Sequence, residues 1–256
     1  MLRTIAGSAS ALNAQQIKTD TIANNLANIN TAGYKKSRAD FTELIGQELG
    51  SSGMPVATGG RDQRGPMVGG GATVSGIANN LTSGQPLENR RPLDLAVFGE
   101  GFFKVVLPGG EERYTRDGTF SLDANGNMTT PGGYKLAGIR IPPGSADITI
   151  AADGKISVNE TGKITGAGQV KIYRFNSASA LKAEGENLFS AVGVALEGIP
   201  GSKGFGMLRQ GCLEASNVDL TEEMAGLIEA RRAYSFSARI MRTADEMFGL
   251  ANNLRK

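Results

Sequence analysis

The chain has no histidine, no tryptophan and a single cysteine, Cys212, and aromatic residues make up only 6% of its 256 positions. Each shortage removes a class of chemistry. Histidine is the usual general base and the commonest metal ligand, so nucleophilic triads and most metal centres lose their main component. One cysteine excludes an internal disulfide and leaves no Cys-built metal site to expect. No metal or cofactor is therefore anticipated. No run of 18 apolar residues occurs, so no membrane-spanning helix is expected. The start, MLRTIAGSASALNAQQ, has an early Arg but no continuous apolar stretch, and it does not read as a cleavable secretory signal. The default address is then the cytoplasm, unless a signal-independent export route is used. The 27 basic and 25 acidic residues are interspersed, for a net charge of +2, which gives no strong field toward nucleic acid.

What is present points to structure rather than catalysis. Hydrophobic residues at 40% suffice for a lean core in one large or two modest domains. The 36 glycines are spread along the middle of the chain without a G-X-Y period, which predicts a turn-rich β region. Near the N-terminus, IANNLANINTAGYKK (residues 22–36) sets Ile22, Leu26 and Ile29 at helical spacing among Asn24, Asn25, Asn28 and Asn30. Asparagine side chains compete for nearby backbone groups, and four of them cost a helix roughly 2 kcal/mol against alanine. Something outside the helix must offset that.

From Leu2 to Asn30 there is no proline, and two heptad-spaced sets, Ile5, Leu12, Thr19, Leu26 and Leu2, Ala9, Gln16, Ala23, form a narrow seam broadened by Ile22 and Ile29. This predicts an amphipathic helix on the order of 40 Å long, with Gly33 as its stop. The other end mirrors it. Asp219 and Glu222 resemble a capping box, and Leu220, Leu227, Tyr234, Met241 and Phe248 recur every seven residues, flanked by Ala230, Ser237, Ala244 and Ala251. Acidic residues at its start and Arg255 and Lys256 at its end complement the helix dipole.

Between them the pattern changes to period two. Strands are predicted at 94–98, 101–107, 113–116, 119–122, 134–139, 148–150, 155–158 and 170–175. Hairpin turns are predicted at Pro108-Gly109-Gly110, Asp117-Gly118, Asn125-Gly126, Asp153-Gly154 and Thr161-Gly162. The Gly-rich stretch 51–72 reads as a linker or mobile loop. The fold class is thus α+β: long terminal helices pairing as a coiled-coil-like unit, with an inserted, mainly antiparallel β domain. The expected domains are 1–33 with 217–256, a linker at 34–75, and a β-rich domain at 76–216. IANNL recurs at 77–81, but the second copy runs into Ser83-Gly84-Gln85-Pro86 and is read as coincidence.

The remaining motifs favour plain readings. Gly99-Glu100-Gly101 lacks the helix that a dinucleotide fingerprint needs and reads as a turn. Asp123-Ala124-Asn125-Gly126-Asn127 has its glycine two positions too early for an EF-hand and lacks the bidentate Glu. Cys212 has no partner to generate a thiolate and reads as a small buried residue. Glu111-Glu112 and Glu222-Glu223 suit a turn tip and a helix N-terminus better than a glycosidase pair. Arg231, Arg232, Arg239 and Arg242 are a solvated face or a contact with acidic groups of a neighbouring subunit. Two long helices with no others in the chain have only each other and other subunits to pack on.

Three ordered stretches carry a resemblance. IANNLANINTAGYKKSRADF (22–41), GFFKVVLPGGEERYTRDGTFSLDANGNMTTPGGYKL (101–136) and EASNVDLTEEMAGLIEARRAYSFSARIMRTADEMFGLANNL (214–254) resemble the N-terminal, β-domain and C-terminal segments of the bacterial flagellar rod and hook family. Chain length, ALNAQQIKTDTIANNLANINT and YTRDGTF are most similar to that family's distal-rod members. Arg231 and Ser237 stand where the family usually shows Gln and Asn. The resemblance implies a structural, non-enzymatic subunit that self-assembles into a helical tube, transmits torque from motor to hook and surrounds an export channel. Implied partners are further copies of itself, other rod and hook subunits and the flagellar export apparatus. The implied place is the basal body beyond the inner membrane, reached without a cleaved signal peptide. The assembly interface is expected at Ile5, Leu12, Asn24, Asn25, Leu26, Asn28, Leu220, Leu227, Arg232, Tyr234, Met241 and Phe248. The competing readings are a secreted β-rich carbohydrate-binding protein with a helical stalk, a proximal-rod paralogue, and a peptidoglycan hydrolase.

Overall fold

The structure of the protein, a computed structural model, describes residues 2–48, 67–142, 147–160, 163–177 and 180–253. In chain order the elements are α1 (Leu2–Ala27), β1 (Ser37–Glu43), β2 (Gln47–Glu48), β3 (Met67–Val68), β4 (Ala72–Asn79), β5 (Pro86–Glu88), β6 (Leu95–Phe98), β7 (Phe103–Val106), β8 (Glu112–Thr115), β9 (Ser121–Leu122) and β10 (Asn127–Thr129). They continue with β11 (Lys135–Arg140), β12 (Asp147–Ile150), β13 (Lys155–Glu160), β14 (Lys163–Gln169), β15 (Ile172–Arg174), β16 (Leu181–Gly185), β17 (Leu188–Ala191), β18 (Leu196–Gly198), β19 (Met207–Gln210), β20 (Cys212–Glu214) and α2 (Leu220–Asn253). A helix at each end and a mainly antiparallel β region between them make the class α+β. Two compact units result: a helical unit from residues 1–24, 37–78 and 220–256, and a β unit from residues 25–36 and 79–219.

The helical unit contains α1, α2 and a two-stranded ribbon of β1 with β4. Proline-free sequence lets both helices run long, and Asp219 immediately precedes α2 with Glu222 and Glu223 in its first turn, where negative charge favours the dipole. Lys18 Nζ meets Glu229 at 3.4 Å, and a Cβ added to Gly226 would lie 3.4 Å from Ile22 Cδ1. Neither β1 nor β4 was visible in the pattern, because SRADFTE and ATVSGIAN lack a buried alternating face. The two IANNL copies differ: residues 22–26 are helical, whereas Ile77–Asn79 end β4. Of the Gly-rich stretch 51–72, residues 51–66 lie outside the described residues.

The helix α1 stops at Ala27, three residues before the expected Asn30. Asn28 N–H bonds to Asn25 O at 3.2 Å and Thr31 N–H to Asn28 O at 3.1 Å, so the chain leaves in tighter turns. Gly33 follows at φ 68°, and a Cβ there would come within 2.5 Å of Asp117 N. That close approach, as much as the left-handed conformation, requires glycine.

In the β unit, a seven-stranded sheet in the order β16-β17-β8-β7-β11-β10-β9 and a three-stranded sheet β12-β13-β14 are joined by the pairs β15–β18, β19–β6 and β20–β5. Alternation decides the inward set: Phe103 and Val105 of β7, Ile156 and Val158 of β13, with Leu95, Phe120, Met128, Ile141, Val170 and Ile172, are fully buried. Phe103 and Phe120 meet edge to face at 5.3 Å. Phe102, Tyr114, Tyr173, Leu181 and Phe189 form a second cluster. Burial of each large side chain contributes roughly 1.5–3 kcal/mol.

The turns at 108–110, Asn125-Gly126 and Asp153-Gly154 close hairpins, with the bonds Leu107 N–H to Glu111 O, Asp123 N–H to Asn127 O and Ala151 N–H to Lys155 O all at 2.9 Å. Thr161-Gly162 lies outside the described residues. Asp117-Gly118 is not a hairpin, because β8 pairs with β7 and β17 while β9 pairs with β10. Gly118 O instead accepts from Leu95 N–H at 3.0 Å, and a Cβ at Gly118 would stand 1.6 Å from Leu95 O. Its glycine serves a crossing of two backbones.

Candidate assembly interface

Helix α2 presents two apolar faces. Glu223, Ala230 and Ala244 are buried, a line at seven-residue spacing that also includes the half-buried Ser237. On α1 the buried set is Ser8, Ala14, Thr21, Ile22 and Asn25. The expected α2 line, Leu220, Leu227, Tyr234, Met241 and Phe248, is not the buried one. Leu220 and Tyr234 are about half exposed at 52% and 43%, and Leu227, Met241 and Phe248 are partly buried. Small side chains allow closer packing than Leu or Phe, and so the flanking alanines take the inner position. Likewise on α1, Ile5, Leu12 and Leu26 are only partly buried.

A second face was missed by heptad reading. Phe236 (66%), Ile240, Met247 and Leu250 (66%) are exposed, as are Met224 and Ile228 near the start of α2. At 3.6 residues per turn, the Phe236 to Leu250 set is centred about 110° around the helix from Glu223, Ala230 and Ala244. Its signal, Phe236 to Ile240 at four residues, Ile240 to Met247 at seven and Met247 to Leu250 at three, is a heptad pattern in a different register from the Leu220 to Phe248 line. Arg231, Arg232, Arg239 and Arg242 are all exposed on the same helix.

The expected interface amides occupy different surroundings. Asn24 is exposed, and Asn28 is half-buried with its Oδ1 3.2 Å from the Thr31 hydroxyl. Asn25 is buried and its Oδ1 accepts from the Tyr34 hydroxyl at 3.1 Å, so this amide already serves the chain's own fold.

Within the β unit, the segment that follows α1 and the segment that leads into α2 are fastened together. Gly33 N–H bonds to Glu214 O at 2.8 Å, and Lys36 N–H to Asn217 Oδ1 at 2.7 Å. Asn217 Nδ2 in turn donates to Asn80 O at 2.9 Å and to Thr82 O at 3.1 Å. Beneath them sits a buried ionic cluster. Glu214 accepts from Lys35 Nζ at 2.6 Å, Arg116 Nη1 at 3.0 Å and Gly84 N–H at 2.8 Å. Burial pushes the Lys35 ammonium and the Arg116 guanidinium below their ordinary values, with Glu214 acting in the opposite direction on both. Burial also raises the neighbouring Asp117 carboxyl. Sequence gave no sign of this cluster, since its members stand 81 and 98 residues apart.

Among the described residues no group of three or more Cys, Asp and Glu could hold a metal ion, and no helix is long and apolar enough to cross a membrane. What the geometry offers is helix surface. Three family profiles match the chain in order: the flagella basal body rod protein profile at residues 7–35, the flagellar hook protein FlgE/F/G D1 domain at 96–158, and the flagellar basal body rod FlgEFG protein C-terminal profile at 209–254. The chain is 40% identical to the flagellar basal-body rod protein FlgG of Borreliella burgdorferi over 264 residues, covering 100% of both. It is 38% identical to the FlgG of Caulobacter vibrioides (99% of this chain, 100% of the relative) and 34% identical to that of Bacillus subtilis (100% of both). Similarity spanning both terminal helices and the β unit does not favour a carbohydrate-binding protein on a stalk, and it places the chain in the flagellar basal-body rod and hook family as a structural rod protein.

Proposed function

We propose that the chain is a distal-rod subunit that polymerises with copies of itself into a helical tube, transmitting torque from motor to hook around an export channel. The observation that carries this is the second apolar face of α2, Phe236, Ile240, Met247 and Leu250, which the chain itself leaves exposed. A helix apolar on two faces is suited to bury one against each of two neighbours. A contact between unlike patches that does not close into a ring propagates as a helical filament. In this reading α1 and α2 pair in a coiled-coil-like manner along the wall of the channel. Ile5, Leu12, Asn24, Leu26, Asn28, Leu220, Leu227, Arg232, Tyr234, Met241 and Phe248 contact neighbouring copies, and Asn25 supports α1 from within.

The same reading puts the subunit beyond the inner membrane, delivered by the flagellar export apparatus without a cleaved signal and joined to other rod and hook subunits. The test is electron microscopy of concentrated protein, intact and lacking residues 2–24 or 220–253. Tubes formed only by the intact chain are the expected result. A persistent monomer at high concentration, or tubes unaffected by either truncation, would overturn it.

A further inference from the structure

The chain passes between its two units four times, after residues 24, 36, 78 and 219. Three of these passages lie within two residues of a group bound to, or carrying, one side chain, that of Asn217. Its Oδ1 accepts at 2.7 Å from the N–H of Lys36, the last residue before β1. Its Nδ2 donates to Asn80 O at 2.9 Å, to Thr82 O at 3.1 Å and to the Thr82 hydroxyl at 3.0 Å, just after β4. Asn217 itself stands three residues before α2 begins at Leu220. Other bonds brace the same segments. Asn80 N–H bonds to Lys36 O at 2.8 Å and Ala215 N–H to Gln85 O at 2.8 Å. Beneath them Lys35 Nζ reaches both Thr82 O at 2.7 Å and Glu214 at 2.6 Å.

A carboxamide suits this position because one planar group carries an acceptor for Lys36 and donors for residues 80 and 82. An aspartate there would turn a second acceptor toward two carbonyl oxygens. Each passage is a single chain with two soft dihedrals per residue, so a segment leaving alone turns alone. Segments pinned to one group turn together. We infer that Asn217 is a positioning residue for torque transmission: it binds the exits toward β1, from β4 and into α2 as one bundle. A twist of the β unit then reaches all three at once and is not absorbed by the softest of them. This role presupposes the torque-bearing tube proposed above, and the two are tested separately.

The test compares the full chain with Asn217→Ala and with Asn217→Ser, a milder variant whose shorter side chain has one donor. Tyr134→Phe, which removes a 2.7 Å bond to Glu186 in the same unit and ties no exit, is the control. In the monomer, amide hydrogen exchange at Lys36 and Asn80 should quicken about tenfold in Asn217→Ala, while Phe103 and Val105 in the core keep wild-type rates. Tubes of that variant, imaged by electron microscopy, should keep their diameter and lose persistence length. Asn217→Ser should shift the same way and decides the matter if the alanine form does not fold; Tyr134→Phe should match the wild type. Faster exchange with unchanged persistence length would show a merely local role and overturn the assignment. So would unchanged exchange in both Asn217 variants, which is read without tubes. Loss of tubes in both variants with the β unit still folded would make Asn217 an assembly residue and not a load-bearing one, and would also overturn it. Absence of tubes from the intact chain defeats the rod reading first, and this role with it.

Discussion

The two units solve burial in opposite ways. In the β unit the fully buried side chains are large, Phe103, Phe120, Leu95, Met128 and Ile141 among them. In the helical unit the buried apolar side chains are, apart from Ile22, small, namely Ala14, Ala230 and Ala244, while Phe236, Leu250, Met247 and Ile228 face outward. Apolar burial is the main favourable term in folding, so the large core of the first unit supplies more of it than the small-residue packing of the second, and under the proposed assembly the exposed side chains of α2 are covered by other chains.

Removing a large core group should break that contrast most severely. Phe103→Ala should cost the β unit about 3–5 kcal/mol, read by urea unfolding followed at tyrosine fluorescence. Glu214→Ala should cost a similar amount, about 3–5 kcal/mol, because it strands Lys35 and Arg116 as buried cations. The double variant Phe236→Ser with Leu250→Ser acts on the other side of the comparison. Monomer stability should move by about 0.5 kcal/mol or less. Polymerisation, followed by sedimentation, should fail, since each side chain contributes roughly 1.5–3 kcal/mol when covered. Unchanged sedimentation would show that this face is not an interface.

Lys18→Gln tests the pair with Glu229 that ties α1 to α2. The exposed pair is worth at most about 1 kcal/mol, and the effect should vanish in high salt. The smallest effect concerns pH. The ammonium of Lys171 and then the Tyr173 hydroxyl hold the Glu197 carboxyl below its ordinary 4.5. A carboxylate with a lowered folded value stabilises above the unfolded value and loses that stabilisation as pH falls through the folded one. Stability should therefore decline slightly below pH 4.5, and Glu197→Gln should flatten that slope in the midpoint against pH.

How much of this was legible depended on range. Asp219 before α2, the hairpin glycines Gly110, Gly126 and Gly154, and the strands around Phe103 and Ile156 follow from neighbours within a few residues, where capping, positive φ and alternation act. Several strands did not. β5, β14 and β16 to β20 are short or mostly polar, and β20, for example, exists because Cys212 and Glu214 pair with Glu88 and Pro86, more than a hundred residues away. Heptad counting found both helices and two neighbouring lines on α2, Leu220 to Phe248 and Ala230 to Ala251, but periodicity reports spacing and not which of the two packs closer within the chain, where Ala230 and Ala244 are the buried ones. The amides divided for a similar reason: only the returning chain at Tyr34 distinguishes Asn25 from Asn24.

Sequence by itself determined the absence of histidine-based chemistry, the two proline-free helices, the turn-rich middle and the family. These rest on composition and local order. Tertiary structure alone decided which face of α2 is buried, that Gly118 serves a backbone crossing, and that Lys35, Arg116 and Glu214 meet as a buried cluster. The physical reason is that burial and desolvation belong to neighbours in space, and the chain must close before a distant carboxylate becomes the partner of two cations.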